Sequence, residues 1–451
     1  MNITFPLLDK GLILNIPKDN LDLGATPLCQ NIYIINGEVT TRSGIKIKYT
    51  KNWEGVPLVI QDYLALDGNK YILLFTTTDI YNISNNWENI TPKKDGIKVS
   101  LTMTEKDIYY FVTINNKLII TNGVDPILTY NGSGCCIYLN CPYKAKIIKE
   151  YKTHLFLLNT IEDGYPITQR VRWSATGNPE NWENYNSNFV DLVLDEKKIL
   201  GCTIQNINMF IYKSSSIIIC RWQGEPSLFA FEENAVVDIG LTNTQTLCSF
   251  SNVDYFLGEL GVFGLSGNSL DCISLNVNKE ILVSTKEQKE IKAFIDYELG
   301  NYNIIIKSGI YWSYNIENKV WTYHNLCGTI LVKKRIIDLS GKIKDLKGSI
   351  KSLSAPYYIP NLLDIRGYGY NLESNFTLIE DLIGDIEVQS WYIDEIEENK
   401  INKNNIYMTN MGILIQSNNQ QDCYIDKDGK EQNADIDAYY TTPIIQMDMD
   451  T

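Results

Sequence analysis

The chain has 451 residues, of which 44% are hydrophobic and 21% are charged, and its formal net charge is −14. This composition is typical of a folded globular protein and excludes an intrinsically disordered one. The acidic balance argues against a general nucleic-acid binder, because contacts to phosphates need Lys and Arg. It suits either simple solubility or a channel along which DNA slides without sticking.

Neither a secretory leader nor a membrane span is expected. The first residues contain no basic region followed by an apolar stretch, and no window approaches the roughly eighteen uninterrupted apolar residues of a membrane helix. Most of the ten cysteines lie in apolar runs, which predicts reduced core residues and assembly in a reducing cytoplasm.

Short runs of β-forming residues alternate along the chain with Gly, Asn, Asp and Ser turns. Residues 107–120 hold two such runs joined by Asn115 and Asn116, and residues 303–314 hold a similar pair. Two-residue turns of this composition predict β-hairpins, because Asn and Gly adopt positive φ at little cost.

Aromatic residues recur near the later strand of each predicted strand–turn–strand unit, separated by 43, 43, 49, 41 and 49 positions. They are Trp87, Tyr130, Trp173, Trp222, Phe263 and Trp312. This spacing matches the roughly 40–50 residues of a four-stranded propeller blade. The sequence therefore predicts an all-β protein, a β-propeller of about six to eight short blades, in which radial stacking buries the sheet faces.

Two segments break the β pattern. Residues 279–294 have helical spacing, with Ile281, Ile291 and Phe294 among the apolar positions, and are predicted to form a short helix. Residues 331–355 are rich in Lys and predict a connector, either a turn-rich ladder or an irregular segment, since their glycines would weaken a helix.

These features divide the chain into three predicted parts. Residues 1–330 form the propeller core, and residues 331–355 form the connector. Residues 356–451 form a C-terminal β region that either completes the propeller or makes a contact element.

The segment 169–182 is the most distinctive in the chain. Arg170 and Arg172 alternate with Val171 and Trp173, so the strand period of two directs both arginines to one face. A salt bridge at a blade edge is the preferred interpretation, and a subunit contact or a channel-lining charge is the alternative. The residues that shape the segment are Trp173, Ser174, Gly177, Asn178, Pro179 and Trp182, with a turn at 177–179.

The chain resembles the β-propeller structural proteins of short bacteriophage tails, of the nozzle or hub type. In its opening segment the matching positions are Gly11, Pro17, Leu21, Asn31, Ile32, Gly37, Arg42 and Gly44. Four later pieces follow in the family's order, at residues 71–91, 120–133, 169–182 and 236–268. The resemblance covers roughly residues 10–325 on this pattern reading.

The resemblance implies a structural virion protein and not an enzyme. Members of this family form rings, commonly hexamers, below the head–tail adaptor, where they extend the DNA channel and retain or gate packaged DNA. The partners it implies are copies of the same chain, the adaptor, other tail proteins, and DNA that passes without sequence-specific binding. The implied location is the virion tail, assembled in the cytoplasm of the host bacterium.

No catalytic, cofactor-binding or metal-binding residue is predicted, and no cofactor is expected. His154 and His324 each lie among aromatic residues of a predicted strand, so a buried or strand-edge histidine is preferred to a catalytic or zinc-binding one. Cys135, Cys136 and Cys141 lack a nearby fourth ligand, which favours a loop with packed thiols over a metal site.

Contacts within an assembly are predicted at basic residues, with protein preferred to DNA as the partner. The candidate subunit or assembly contacts are Arg170, Arg172, Lys333, Lys334, Arg335, Lys342 and Lys344.

Two other functions are compatible with a propeller. A carbohydrate-binding, lectin-like or adhesion propeller would present exposed aromatic residues at equivalent positions, for which Trp222 and Trp312 are candidates. A propeller glycosidase would need carboxylates and arginines that converge at the central opening.

Overall fold

The computed structural model describes most of the chain up to residue 330 and several short strands beyond it. The described residues are 7–42, 45–51, 53–65, 68–286, 291–306, 310–325, 329–330, 405–409, 414–416, 424–425, 431–432 and 439–440. The statements about structure below concern these residues.

The chain begins with short strands that precede the first four-stranded sheet. They are β1 (Gly11–Leu12), β2 (Ala25–Thr26), β3 (Cys29–Gln30), β4 (Ile32–Ile35), β5 (Glu38–Thr41) and β6 (Ile45–Thr50). β1 pairs in parallel with β2, and β4 forms an antiparallel hairpin with β5. A 3-10 helix at Lys18–Asn20 lies between β1 and β2.

Six four-stranded antiparallel sheets then follow one another along the chain. Blade 1 contains β7 (Pro57–Leu64), β8 (Lys70–Thr76), β9 (Ile80–Asn82) and β10 (Glu88–Asn89), and a small hairpin follows it, β11 (Lys93–Lys94) with β12 (Ile97–Lys98). Blade 2 contains β13 (Tyr110–Ile114), β14 (Lys117–Thr121), β15 (Leu128–Tyr130) and β16 (Ile137–Tyr138). Blade 3 contains β17 (Lys144–Tyr151), β18 (His154–Glu162), β19 (Tyr165–Trp173) and β20 (Asn188–Asp191).

The last three blades have the same strand order. Blade 4 contains β21 (Ile199–Gln205), β22 (Asn208–Lys213), β23 (Ser216–Trp222) and β24 (Phe229–Val237). Blade 5 follows a 3-10 helix (Thr244–Thr246) and contains β25 (Cys248–Phe250), β26 (Val253–Gly258), β27 (Gly261–Ser266) and β28 (Ser269–Cys272). The helix α1 (Asn278–Lys286) leads to blade 6, which contains β29 (Ile291–Asp296), β30 (Asn301–Ile306), β31 (Ile310–Asn315) and β32 (Val320–Asn325).

The six sheets form a ring, which makes the protein a six-bladed β-propeller and confirms the predicted fold class. The first strands of neighbouring blades contact each other near the axis, as β13 contacts β17 and β17 contacts β21. Separate apolar cores lie between blades 1 and 2, 2 and 3, 3 and 4, 4 and 5, and 5 and 6. Blades 6 and 1 meet where Lys292 Nζ donates to the carbonyl oxygen of Leu58 at 3.4 Å.

The repeated aromatic residues occupy equivalent places in the ring. Tyr130, Trp173, Trp222, Phe263 and Trp312 all lie on the third strand of their blades, whereas Trp87 lies in the turn before the fourth strand of blade 1. The predicted hairpin turn is also present, since Asn115 and Asn116 adopt φ values of 50° and 57° between β13 and β14. The repeated positions of the aromatic residues and the hairpin turn were both predicted from the sequence pattern.

The helix prediction was right at its start and wrong at its end. α1 covers only Asn278–Lys286, while Ile291 and Phe294 lie on β29, the inner strand of blade 6. Helical and strand periods cannot be separated over so few residues. Burial on both sides of an inner strand decides the outcome, because Ile291, Ala293, Phe294 and Ile295 are all buried.

The N-terminal segment, residues 7–42, packs against the outer edge of blade 6. The amide of Asn31 donates to the carbonyl of Tyr323 at 3.0 Å, and Asn31 Oδ1 accepts from the amide of Asn325 at 2.9 Å. The phenol oxygens of Tyr33 and Tyr311 lie 2.9 Å apart. The last strand of the ring is therefore covered rather than left as an open edge.

A further sheet joins the two ends of the propeller to the C-terminal region. β33 (Thr329–Ile330), β34 (Asn405–Thr409) and β35 (Leu414–Gln416) combine with β6 in the order β33-β35-β34-β6. The remaining strands are β36 (Tyr424–Ile425), β37 (Glu431–Gln432) and β38 (Tyr439–Tyr440), the last of which pairs with β3. The predicted connector 331–355 lies outside the described residues, so the predicted domain limits stay predictions.

Candidate functional site

Arg170 and Arg172 belong to an internal ion-pair network on the outer half of blade 3. Arg170 binds Asp191 through two hydrogen bonds of 2.7 Å, and Arg172 binds Glu162 at 2.7 and 3.1 Å. Glu162 also accepts from Arg170 at 3.0 Å. Phe189 lies beneath both guanidinium groups. Its ring centroid is 4.0 Å from the guanidinium carbon Cζ of Arg170 and 4.7 Å from Cζ of Arg172.

This geometry fits the predicted blade-edge salt bridge. Although burial raises the pKa of Glu162, hydrogen bonds from Arg172 hold it below its usual value. The pKa of Asp191 is lowered mainly by its hydrogen bonds with Arg170. Both guanidinium groups are engaged within blade 3, so a role as assembly contacts is not supported by their surroundings and stays a prediction.

The rest of the distinctive segment forms the turn between β19 and β20. Trp173 and Trp182 are buried, and Gly177 adopts a φ of 66°. Ser174 Oγ accepts from the amide of Leu155, and the Ser174 carbonyl lies 2.6 Å from His154 Nδ1. The amide of Asn178 donates to the carbonyl of Ala175, and Pro179 follows it in the turn.

A rigid surface segment, residues 192–195, follows blade 3. Lys213 is fully buried, and its Nζ donates to the carbonyl of Leu192 at 2.7 Å, to the carbonyl of Asp195 at 3.3 Å, and to the Asp195 carboxylate. Although burial raises the pKa of Asp195, hydrogen bonds from Lys213 lower it below its usual value. Between these fixed ends, Val193 and Leu194 are 60% and 63% exposed.

A cavity of about 430 Å³ lies at the propeller axis. Its lining comes from the first strands of blades 1, 2 and 6 and from the residues that lead into blade 5, as is expected only at the centre of the ring. The lining residues are Leu58, Val59, Ile60, Gln61, Asp62, Glu105, Asp107, Ile108, Tyr109, Tyr110, Phe111, Val112, Thr113, Leu118, Gln245, Leu247 and Lys292.

Tyr110 narrows the axis beside this cavity. It starts on β13 of blade 2 and packs against the apolar core of blades 3 and 4, which includes Ile147 and Cys202. Burial raises the pKa of its phenol, with a further contribution from Cys202. Tyr110 therefore brings a bulky side chain to the described lining of the cavity.

Both histidines are fully buried, as predicted. Burial lowers the pKa of His154, whose Nε2 lies 3.2 Å from Thr176 Oγ1. Burial and the nearby Arg42 lower the pKa of His324 well below its usual value. Their partners are hydroxyl groups, aromatic rings and a main-chain carbonyl, which is the surrounding of structural histidines.

The predicted loop of packed thiols is present near the end of blade 2. Cys136 is buried in the core between blades 1 and 2, and burial raises its pKa. Burial raises the pKa of Cys141 to about 12, and its Sγ donates to the carbonyl of Tyr143 at 3.3 Å. The described residues contain no group of His, Cys, Asp and Glu side chains placed to hold a metal ion.

The two tryptophans considered for sugar binding have different surroundings. Trp312 is 4% exposed and lies in the core of blade 6, whereas Trp222 is 41% exposed. They do not form a repeated exposed platform. The candidate contacts Lys333, Lys334, Arg335, Lys342 and Lys344 lie outside the described residues.

The six antiparallel sheets and their central cavity define a six-bladed β-propeller protein. The one α-helix in the described part of the chain has nine residues, too few to cross a membrane. Comparison with family models finds no match, and comparison with curated proteins finds none.

Solved structures with a similar arrangement are propellers of low sequence identity. Raptor from Chaetomium thermophilum matches with a TM-score of 0.38 and 8% identity over 62% of this chain, which spans only 26% of the Raptor chain. BamB from Moraxella catarrhalis matches with a TM-score of 0.37 and 11% identity, covering 68% of this chain and 88% of BamB. YCF48 bound to a D1 peptide matches with a TM-score of 0.34 and 9% identity, covering 62% and 87%.

Sequence reasoning found the blade 3 network and missed the axial cavity. Arg170 and Arg172 were detectable because a strand period of two places them on one face. The cavity residues come from positions as distant as Leu58 and Lys292, and no local pattern brings these together. The only available signal was the predicted ring itself, whose centre must collect the first strand of each blade.

Proposed function

We propose that this protein is a structural subunit of a short bacteriophage tail, and not an enzyme. Copies of the chain would form a ring of six subunits, in the family's pattern, below the head–tail adaptor. The ring would extend the DNA channel and help retain packaged DNA before ejection. The protein would be assembled in the cytoplasm of the host and would function in the virion.

The observation that carries this proposal is the order of the five sequence pieces that resemble the tail family. They fall on the N-terminal segment, on blades 1, 2 and 3, and on blade 5 with the segment that leads into it, in the order of the ring. The propeller that the resemblance implies is the fold that the chain adopts.

The size of the axial cavity bears on where the DNA channel of such a ring would lie. A volume of about 430 Å³ cannot admit a DNA duplex, whose major groove alone is about 12 Å wide. A DNA channel would therefore lie between subunits, on the axis of the assembly, and not along the axis of one propeller. The net charge of −14 would keep the wall of such a channel from binding phosphates.

The segment 192–195 offers a suitable subunit contact. Val193 and Leu194 are exposed, yet their backbone is held by Lys213 and by Glu233, whose carboxylate accepts from the Leu194 amide at 3.1 Å. Apolar side chains on a rigid backbone lose little conformational entropy when they are buried in an interface. We therefore place a contact between copies at this segment.

The test is the solution mass of the purified protein, measured alone and after mixing with the neighbouring tail proteins. We expect a ring-sized oligomer in at least one of the two conditions, visible as a ring by electron microscopy. The double variant V193D/L194D should lower the mass to that of a monomer while keeping the circular dichroism spectrum. Ile97→Asp, at another exposed apolar position (73% exposed), is the matched control and should keep the oligomer.

A protein that stays monomeric in both conditions would contradict the tail proposal. Persistence of the ring in V193D/L194D would instead remove only the proposed contact at residues 192–195.

A further inference from the structure

The chain-end sheet, with the strand order β33-β35-β34-β6, is joined to both ends of the ring by short connections. β33 begins at Thr329, shortly after β32 of blade 6 ends at Asn325. β6 ends at Thr50, shortly before β7 of blade 1 begins at Pro57. Because a chain spans at most about 3.5 Å per residue, this sheet must lie next to blade 6 and also next to blade 1.

The edge strands of the chain-end sheet correspond to the inner and outer strands of a blade. In each of the six blades, the chain enters at the first strand, on the inside of the ring, and leaves from the fourth strand, on the outside. The chain that leaves blade 6 enters the chain-end sheet at one edge strand, β33, and the chain that enters blade 1 comes from the other edge strand, β6. β33 therefore takes the place of an inner strand and β6 that of an outer one.

The face of blade 1 that is turned away from blade 2 is apolar and buried. It carries Ile60, Ile72 and Leu74, all of which are buried. They alternate along β7 and β8 with residues such as Leu73 and Phe75, which belong to the core between blades 1 and 2, and successive residues of a strand lie on opposite faces. None of the three belongs to the apolar cores described above between neighbouring blades, so another part of the chain covers this face.

The face of blade 6 that is turned away from blade 5 is buried as well, but it is polar. Asn303 and Ser313 lie opposite each other on β30 and β31 and are 2% and 1% exposed. They alternate with Ile304 and Trp312, which belong to the core between blades 5 and 6. Packing these amide and hydroxyl groups directly on the aliphatic side chains of blade 1 would cost free energy, because those side chains offer no hydrogen bonds. The two faces therefore need a layer between them that contacts each one separately.

We propose that the chain-end sheet fills the space between blades 6 and 1 and is the clasp that closes the ring. The contact between Lys292 and Leu58 joins only the inner strands of these two blades, and the clasp covers their faces further from the axis. Two distant parts of the chain hold the clasp together, since β6 pairs with β34 along its length. The C-terminal β region thus completes the propeller, and this role does not depend on the proposed function in a tail.

Hydrogen exchange of the whole chain, followed by mass spectrometry, tests the clasp. In the variant K46P/I47P, two adjacent prolines remove main-chain donors that point to opposite sides of β6, so one of the lost donors faces β34. We expect amide exchange at least about tenfold faster in β7 and β8 of blade 1 and in β30 and β31 of blade 6, and unchanged exchange in blades 3 and 4. K93P/K94P breaks the exposed hairpin β11–β12 beside blade 1, and as the matched control it should change exchange only around that hairpin.

A disulfide across the clasp gives a second measurement that needs no destabilised variant. Lys46 and Met408 are paired across β6 and β34. The Cα atoms of directly opposed residues lie about 4.5–5.5 Å apart in an antiparallel pair, which is within the range of a disulfide. In K46C/M408C, oxidation should slow amide exchange in β8 and β30 by at least about tenfold relative to the reduced protein, whereas K46C alone should not respond to oxidation.

Changes of exchange that stay within β6, β34 and β35 would overturn the proposal, because the chain-end sheet would then be an appendage that covers neither blade. If K46P/I47P exchanges faster in every blade, the disulfide decides: slower exchange in blades 1 and 6 supports the clasp, and no change there overturns it. Neither result would bear on whether copies of the chain assemble.

Discussion

Asp254 is fully buried at the junction of blades 4 and 5, where it accepts hydrogen bonds from four side chains. Gln205 and Tyr212 of blade 4 donate at 2.7 and 2.6 Å, Thr203 of the same blade donates as well, and Ser249 of blade 5 donates at 2.5 Å. A buried carboxylate is tolerated only when such partners replace water. One residue thus joins two neighbouring sheets by polar contacts within an apolar core.

Replacing this carboxylate should be strongly destabilising. We expect Asp254→Leu to lower the free energy of unfolding by at least about 3 kcal/mol, because several buried donors lose their acceptor. Asp271→Leu, at an exposed position on β28 of the same blade, should change it by no more than about 0.5 kcal/mol. Urea unfolding followed by tryptophan fluorescence measures both. Equal losses in the two variants would contradict this account of Asp254.

His324 makes the stability of blade 6 dependent on pH. Its ring stacks on Tyr311 with centroids 4.4 Å apart, and its Nε2 lies 2.8 Å from Thr322 Oγ1. Burial, with Arg42 nearby, lowers the pKa of His324 in the folded protein well below 6.5. The unfolded chain therefore takes up the proton first, and stability should fall as the pH drops below about 6.5.

We expect His324→Phe to reduce this acid sensitivity. Between about pH 7.5 and about pH 5.5, the free energy of unfolding should fall less in the variant than in the unaltered protein, whatever the stability of the variant at either pH. The pKa of His154 is also lowered by burial, so this residue should account for part of the pH dependence of the unfolding free energy that the variant retains. If the free energy of unfolding falls by the same amount between the two pH values in the variant and in the unaltered protein, His324 does not contribute to the acid sensitivity.

At the scale of elements, the N-terminal segment is fastened to blade 6 chiefly through Asn31. This residue is buried and adopts a φ of 56°, in the left-handed region. Its Oδ1 accepts from Arg42 Nε and from the amide of Asn325, both at 2.9 Å. Asn suits this position because its short side chain tolerates left-handed backbone and also bonds the main chain.

Comparing Asn31→Ala with Asn36→Ala should separate the contribution of the left-handed backbone conformation from that of the side-chain hydrogen bonds. Asn36 has a similar φ of 52° but is exposed in the turn between β4 and β5. We expect a loss of about 1 kcal/mol for Asn36→Ala from backbone strain alone, and about 3 kcal/mol for Asn31→Ala, which also loses two buried hydrogen bonds. Chemical unfolding of the two variants measures the difference, and equal losses would contradict a fastening role for Asn31.

Much of the element pattern was predictable from the sequence. The aromatic residues marked the third strand in blades 2 to 6. Four of these five are buried, because large side chains fill the space between blades, and Trp222 is the exposed one. The hairpin turn at Asn115 and Asn116 was predictable from local backbone preference. The end of α1 was not, since Ile291 and Phe294 fit both periods and only the ring decides between them.

The candidate sites also divide into those that the sequence predicted and those that it did not. The two arginines of blade 3 are two positions apart, so their shared face could be read directly from the sequence. Their acidic partners Glu162 and Asp191 come from other strands, and strand pairing had to be known before they could be assigned. The axial cavity depends on four blades at once and was beyond any local pattern.

At the scale of the whole molecule, the propeller is a ring of six blades with a small cavity at its centre. Tyr110 reaches from blade 2 to the core of blades 3 and 4, and the axial cavity takes only about 430 Å³. The centre of one subunit can therefore accommodate a small ligand but not a nucleic acid. If the chain functions in a DNA-conducting tail, the conduit must be a property of the assembly.

Each blade is built from four strands that are consecutive in the chain, whereas the contact between Leu58 and Lys292 spans 234 positions. During synthesis, a blade can pair its strands soon after they leave the ribosome, because these contacts are local and have a low entropic cost. Joining blade 6 to blade 1 must wait until nearly the whole propeller has been translated. Until then, the side of blade 1 that meets blade 6 stays exposed to other chains, and the risk of aggregation is concentrated in that interval.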